Sequence, residues 1–233
     1  MFKNRSMCCF LVGLFQAWET NLELIAASRK ARRRKIKWVL SFWICVCWIT
    51  NASAWAFDVR DLNHLEQFQV CLDCDLTGAN FFSRDLSGYD LRGADLAGAD
   101  LRMSRLIGTD LRGAYLADAN LQGADLSRAD LFIADAHRAN FSMTNLFDVD
   151  FSSAILSEAS FERAELIDSH FYSADLRGAN FKDITSKNSY FFKANLTDAN
   201  FESASLVGND FEGAILCRTS FSSGIQNSGC QID

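Results

Sequence analysis

Proline is absent from this sequence, and histidine is scarce, with only His64, His137 and His170. Without proline, stiff extended linkers and proline-rich recognition segments are excluded. None of the three histidines has a cysteine, serine or carboxylate beside it in a recognisable nucleophile or metal-ligand arrangement. The 13 glycines, such as Gly93, Gly98 and Gly113, are spread singly and form no phosphate-cradling loop. The chain carries no constellation that predicts a catalytic, cofactor-binding or metal-binding residue, and no enzyme is expected.

Charge of one sign is also missing where nucleic-acid binding would need it. The chain has 23 basic and 29 acidic residues, but nine of the basic and two of the acidic ones lie in residues 1–56. The remainder holds 14 basic and 27 acidic residues, a net charge of about −13, so direct nucleic-acid binding is not expected.

Residues 1–56 read as a leader. Seven Lys/Arg between Arg29 and Lys37 precede a twelve-residue apolar h-region, 38–49, and then Ala52-Ser53-Ala54-Trp55-Ala56. A positive region, a short apolar core and small-residue cleavage sites make up a secretory signal peptide, with cleavage after Ala54 or Ala56. Twelve apolar residues fall short of the roughly 20 that span a bilayer. An uncleaved signal anchor is the alternative, and only then does the chain contact a membrane, through this leader.

What the sequence has in abundance is a period of five. Leucine or phenylalanine stands at every fifth position from Leu76 to Leu131, from Phe141 to Phe181 and from Phe191 to Phe221. Two residues before the centre usually sits a small residue, as in Ala94, Ala99 and Ala114 but not at Arg84, Tyr89 or Ile184, and one before it usually Asp or Asn. On a helix of 3.6 residues per turn such centres scatter around the cylinder. On a strand, alternate centres flip to opposite faces. Every centre is buried only if the chain turns after each pentad. From Phe141 the centres alternate Phe and Leu, which fits a four-sided coil of about 20 residues with Phe on two opposite sides. Columns of Phe141, Phe161, Phe181, Phe201 and Phe221, and of Phe151, Phe171, Phe191 and Phe211, then stack along the axis. At a strand spacing of about 4.8 Å, about eight coils make a rod near 37 Å long.

The motif Ala94-Asp95-Leu96-Ala97-Gly98, repeated at Ala179-Asn180-Phe181-Lys182-Asp183, resembles the pentapeptide-repeat family. That resemblance implies an all-β fold, a right-handed quadrilateral β-helix. Cys71-Leu72-Asp73-Cys74-Asp75-Leu76 is similar to the opening of exported members from cyanobacteria and chloroplast lumens. The solenoid is expected over 71–225, with a polar tail at 226–233. A short capping helix is expected within 57–70, with Asp58 as N-cap and Val59, Leu62, Leu65 and Phe68 on its inner face. Ala136 and Ser186 stand where a large centre belongs, marking either a repacked coil or a notch.

Cys71, Cys74, Cys217 and Cys230 lie beyond the leader and are candidate disulfide residues; Cys217, facing outward, could reach Cys230. A redox role for Cys71-x-x-Cys74 lacks the thioredoxin-like context. The residue after each centre faces out. On two adjacent sides it is often apolar, at Ile107, Phe147, Ile167 and Val207 and at Phe132, Tyr172 and Phe192; Ile133 adds to them. Contiguous exposed apolar area marks a contact surface, so a protein partner or self-association is expected there. The leading expectation is an exported, non-catalytic scaffold of the periplasm or thylakoid lumen. The alternative is a DNA-mimicking protein that binds DNA gyrase, as the resemblance allows. Against it, twelve of the 27 acids are Asp at the motif position, where short carboxylates serve turn backbone.

Overall fold

The computed structural model describes residues 58–230. The expected signal peptide, its h-region and its cleavage sites lie outside the described residues.

Four backbone hydrogen bonds per pentad build the solenoid, as around Leu96. Its N–H donates to Tyr115 O of the next coil at 2.7 Å, and Asp95 N–H donates to Cys74 O of the preceding one at 2.8 Å. Gly98 N–H reaches forward to Ala117 O at 2.8 Å, while Ala99 N–H closes the local turn on Leu96 O at 2.9 Å. Each position therefore meets the residue 20 further on, and the bridges between coils, such as Asp75 with Asp95 and Asp95 with Tyr115, are parallel. Four centres fall within each coil, one per side. The coil's sides are mostly too short to register as strands. Named strands are β1 (Glu165–Ile167), β2 (Thr185–Lys187), β3 (Asn200–Phe201), β4 (Ser205–Val207), β5 (Thr219–Phe221) and β6 (Gly224–Gln226). The order β1-β2-β4 forms one parallel ladder and β3-β5 another.

The second residue after each centre up to Leu216 has positive φ. Glycine takes this conformation without penalty at Gly98, φ 64°, whereas β-branched Ile133 is held there at φ 55°.

Inside, the two phenylalanine columns stack as the period of ten requires. Rings of Phe141, Phe161, Phe181, Phe201 and Phe221 lie 4.5–5.1 Å apart and within 8° of parallel. The opposite column, Phe151 to Phe211, stacks at 4.8–5.0 Å and within 10° of parallel. Across the core the columns meet edge to face, as Phe161 meets Phe171 at 6.0 Å and 85°. Alanines two before the centres, from Ala79 to Ala199, fill the narrow corners and are fully buried.

Ala136 and Ser186 are both buried, so neither opens a notch. Around Ser186 the interior is polar. Ser169 Oγ donates to Leu146 O and Ser189 Oγ to Leu166 O, at 2.6 and 3.1 Å. Asn209 accepts from Ser186 Oγ at 3.0 Å and from Ser189 N at 2.8 Å, and donates to Ser186 O at 3.3 Å. Side chains here close turns that backbone closes elsewhere.

The helix α1 spans Val59–Phe68, and the Asp58 side chain accepts from Arg60 N. Leu65 enters the core and Leu62 packs beside it, but Val59 and Phe68 are more than half exposed. The inner face is thus narrower than the spacing predicts, because the first coil offers apolar contact to only one stripe. The other end also departs from expectation. Beyond Phe221 the chain reverses, and β6 pairs antiparallel with β5. The parallel coil therefore stops before Ile225, which is 65% exposed. The tail folds back, with Leu216 N–H donating to Ser228 O and Arg218 N–H to Asn227 Oδ1.

Candidate interaction surface

The outward rows are built by the same grammar. At the position before a centre, an Asp or Asn Oδ1 accepts from the N–H two residues on, as Asp95 does from Ala97 at 3.0 Å and Asn80 from Phe82 at 2.9 Å. Where arginine follows the centre, it also grips that carboxylate with two nitrogens. Arg92 on Asp90, Arg102 on Asp100, Arg112 on Asp110 and Arg177 on Asp175 all close to 2.6–2.8 Å. These guanidinium hydrogen bonds hold the four carboxyls below the usual carboxylate range. Arg138 on Asp118 and Arg218 on Asp198 make the same grip between neighbouring coils. Much of the acidic surface is thus engaged locally.

The eight apolar candidates do not form one continuous sheet. Ile107, Phe147, Ile167 and Phe192 are half-buried, while Phe132, Ile133, Tyr172 and Val207 are exposed. The 20-residue register sets Ser127 between Ile107 and Phe147, and Lys187 between Ile167 and Val207. Arg128 also lies over the Phe147 ring at 5.9 Å. Ser152, only 9% exposed, separates Phe132 from Tyr172.

What the structure does bring together is Tyr172 and Phe192, at 6.3 Å, and it adds two rings that the outward-position rule missed. His170 lies 5.5 Å from Tyr172 and 5.3 Å from Tyr190, and Tyr190 lies 5.9 Å from Tyr172. Both added residues occupy the Asp/Asn position on successive coils. That double departure from the motif was the signal available in the sequence. Each gives up the turn-closing acceptor to place a ring on the surface. Ile133 carries its own backbone cost, roughly 1–2 kcal/mol for a left-handed conformation, without being buried.

The cysteines pair in sequence order. Cys71 and Cys74 are bonded with Cα atoms 5.4 Å apart, at the start of the first coil, and both are buried. Cys217 bonds Cys230 at 4.8 Å. Although Cys217 occupies an outward position, it is only 9% exposed, because the returning tail covers it. Among the described residues no group of His, Cys, Asp or Glu could hold a metal ion, and no helix is long and apolar enough to cross a membrane.

A family model of pentapeptide repeats matches eight copies, over residues 74–113, 109–146, 144–183 and 187–223. No curated protein matches the chain. Among solved structures, a pentapeptide repeat protein from the Arabidopsis thaliana thylakoid lumen is 32% identical over 45% of this chain, with a TM-score of 0.33. That match spans 66% of the plant chain, a little under two-thirds. HetL of the cyanobacterium Nostoc, a pentapeptide repeat protein involved in heterocyst differentiation regulation, is 26% identical over 67% of this chain and 76% of its own, with a TM-score of 0.30. QnrB1, a plasmid-mediated fluoroquinolone resistance protein, is 19% identical in a trypsin-treated form, over 66% of this chain and 80% of its own, with a TM-score of 0.31. With the family model covering well over half of its residues in register with the coils, this chain belongs to the pentapeptide-repeat family.

Proposed function

We propose that this protein is an exported, non-catalytic scaffold of the periplasm or thylakoid lumen, which meets a protein partner or a second copy of itself through its aromatic side. In this reading the rod is a right-handed coil of about eight turns, with α1 covering its N-terminal end. The observation that carries the proposal is the ring cluster of His170, Tyr172, Tyr190 and Phe192, held outward on two successive coils. Clustered rings kept in water at the expense of the repeat motif favour a contact role. Export is supported by the leader pattern and by two cysteine pairs suited to an oxidising compartment.

The gyrase-binding alternative draws on the net charge of about −13 after the leader. The carboxylates gripped by arginines weaken it, since a mimic of DNA presents free charge.

The test replaces Phe132, Tyr172 and Phe192 together with serine. The variant is expected to keep its circular dichroism and lose self-association in sizing, or lose in-cell photo-crosslinks formed from this side. Unchanged sizing and crosslinking overturn the contact role. Fractionation with N-terminal sequencing tests the compartment. A mature chain starting at Trp55 or Phe57 outside the cytoplasm supports export, and an intact cytoplasmic chain revives the gyrase reading.

A further inference from the structure

We infer that the His170–Tyr172–Tyr190–Phe192 face docks a basic segment of a partner protein, one carrying arginine or lysine side chains. This rests on the reading of that face as a contact surface and adds the chemistry of what it contacts.

The first reason is how charge is distributed along this side of the rod. On the early coils Asp90, Asp110 and Asp130 are each matched by an arginine. Arg92 grips Asp90 and approaches Asp110 at 3.6 Å, and Arg112 grips Asp110 and approaches Asp130 at 3.5 Å. From the next coil on, the matching stops. Asp150 precedes the ring cluster, and Asp210 and Glu212 follow it, and none pairs with a basic side chain among the described residues. Asp150 and Asp210 each use one oxygen to accept a turn N–H, from Ser152 and Glu212, both at 2.8 Å, which leaves the other free. The rings therefore sit between unpaired carboxylates.

The second reason is the rings themselves. The face of an aromatic ring carries partial negative charge and attracts cations. This surface already holds one, because Lys193 Nζ lies 5.0 Å from the centroid of Phe192. A guanidinium suits the site best. It stacks flat on a ring and offers a fork of N–H donors to a carboxylate beside it. The net charge of about −13 after the leader would steer such a segment in from a distance. A neutral apolar partner gains nothing from the flanking carboxylates and must desolvate them.

The experiment uses the full chain and a fluorescein-labelled peptide of alternating arginine and serine, with length-matched glutamate and leucine peptides. Anisotropy is expected to show binding of the arginine peptide alone, weakening as salt rises. Tyr172→Ser with Tyr190→Ser and Phe192→Ser is expected to weaken it about tenfold or more. Asp150→Asn with Asp210→Asn and Glu212→Gln, which keeps the turn acceptors, weakens it by a comparable factor and serves on its own if the ring variant misfolds. Equal binding to wild type and both variants means adherence to general acidity and overturns the inference. Preferential binding of the leucine peptide overturns it too. If no peptide binds while the triple serine variant still loses its crosslinks, the contact surface stands and its basic partner falls.

Discussion

The Phe161 ring lies flat on that of Phe181, centroids 4.7 Å apart and planes 5° from parallel, although 20 residues separate them in the chain. Each phenylalanine between the ends of the column, from Phe161 to Phe201, is clamped above and below by its own kind, so this part of the interior is a continuous stack shared by successive coils.

Removing a ring from the middle of that stack leaves a cavity that neighbouring coils cannot close. Phe161→Ala is expected to cost about 3–5 kcal/mol. Phe211→Ala, near the open end where the side chain is only half-buried, is expected to cost clearly less. Urea unfolding of both variants measures the difference, and equal losses contradict a stack buried most tightly at its centre.

Acid weakens the rod through its arginine-gripped aspartates. The carboxyls of Asp90, Asp100, Asp110 and Asp175 lie below their unfolded value because of hydrogen bonds from Arg92, Arg102, Arg112 and Arg177. A depressed folded value means that the contribution is complete above about pH 4, the unfolded value, and is lost as pH falls below it. Melting temperature is expected to hold from pH 7 to about pH 5 and drop below about pH 4. Replacing the four arginines with glutamine is expected to shallow that acid-side drop. An unchanged profile removes these pairs from the account.

The buried polar ladder makes a sharper distinction. Ser186→Ala deletes one donor to Asn209 and is expected to cost about 0.5–1.5 kcal/mol. Asn209→Ala strands both Ser189 N–H and Ser186 C=O, at about 1–3 kcal/mol for each buried group left unsatisfied. Unfolding of the two variants is expected to rank Asn209→Ala as the more damaging.

At the C-terminal end, the Cys217–Cys230 bond closes a separation of 13 residues and holds the returning tail. Cys230→Ser is expected to raise hydrogen exchange over 215–230 while the coils around Phe161 stay protected, because solenoid stability is shared chiefly between neighbours. Loss of protection throughout means that the tail supports the whole rod.

The sequence by itself determined the coil. A centre every five residues is buried throughout only if the chain turns after each pentad, and the Phe/Leu alternation is compatible with four sides, which the 20-residue register shows. The inward-facing Cys71–Cys74 segment and the Asp58 cap were legible for the same reason, since short-range spacing decides them. Only the tertiary structure decided what the exposed residues do. Whether Val59 and Phe68 pack depends on what the first coil offers α1. Where the parallel coil stops is decided by the antiparallel pairing of β6 with β5, which lets the tail turn back and cover Cys217. The ring cluster also needed three dimensions. Tyr190 and His170 occupy a position that the repeat assigns to turn-closing Asp or Asn, and a 20-residue register places them beside Tyr172. Burial follows a period along the chain, whereas a surface depends on which turns of the coil lie next to one another.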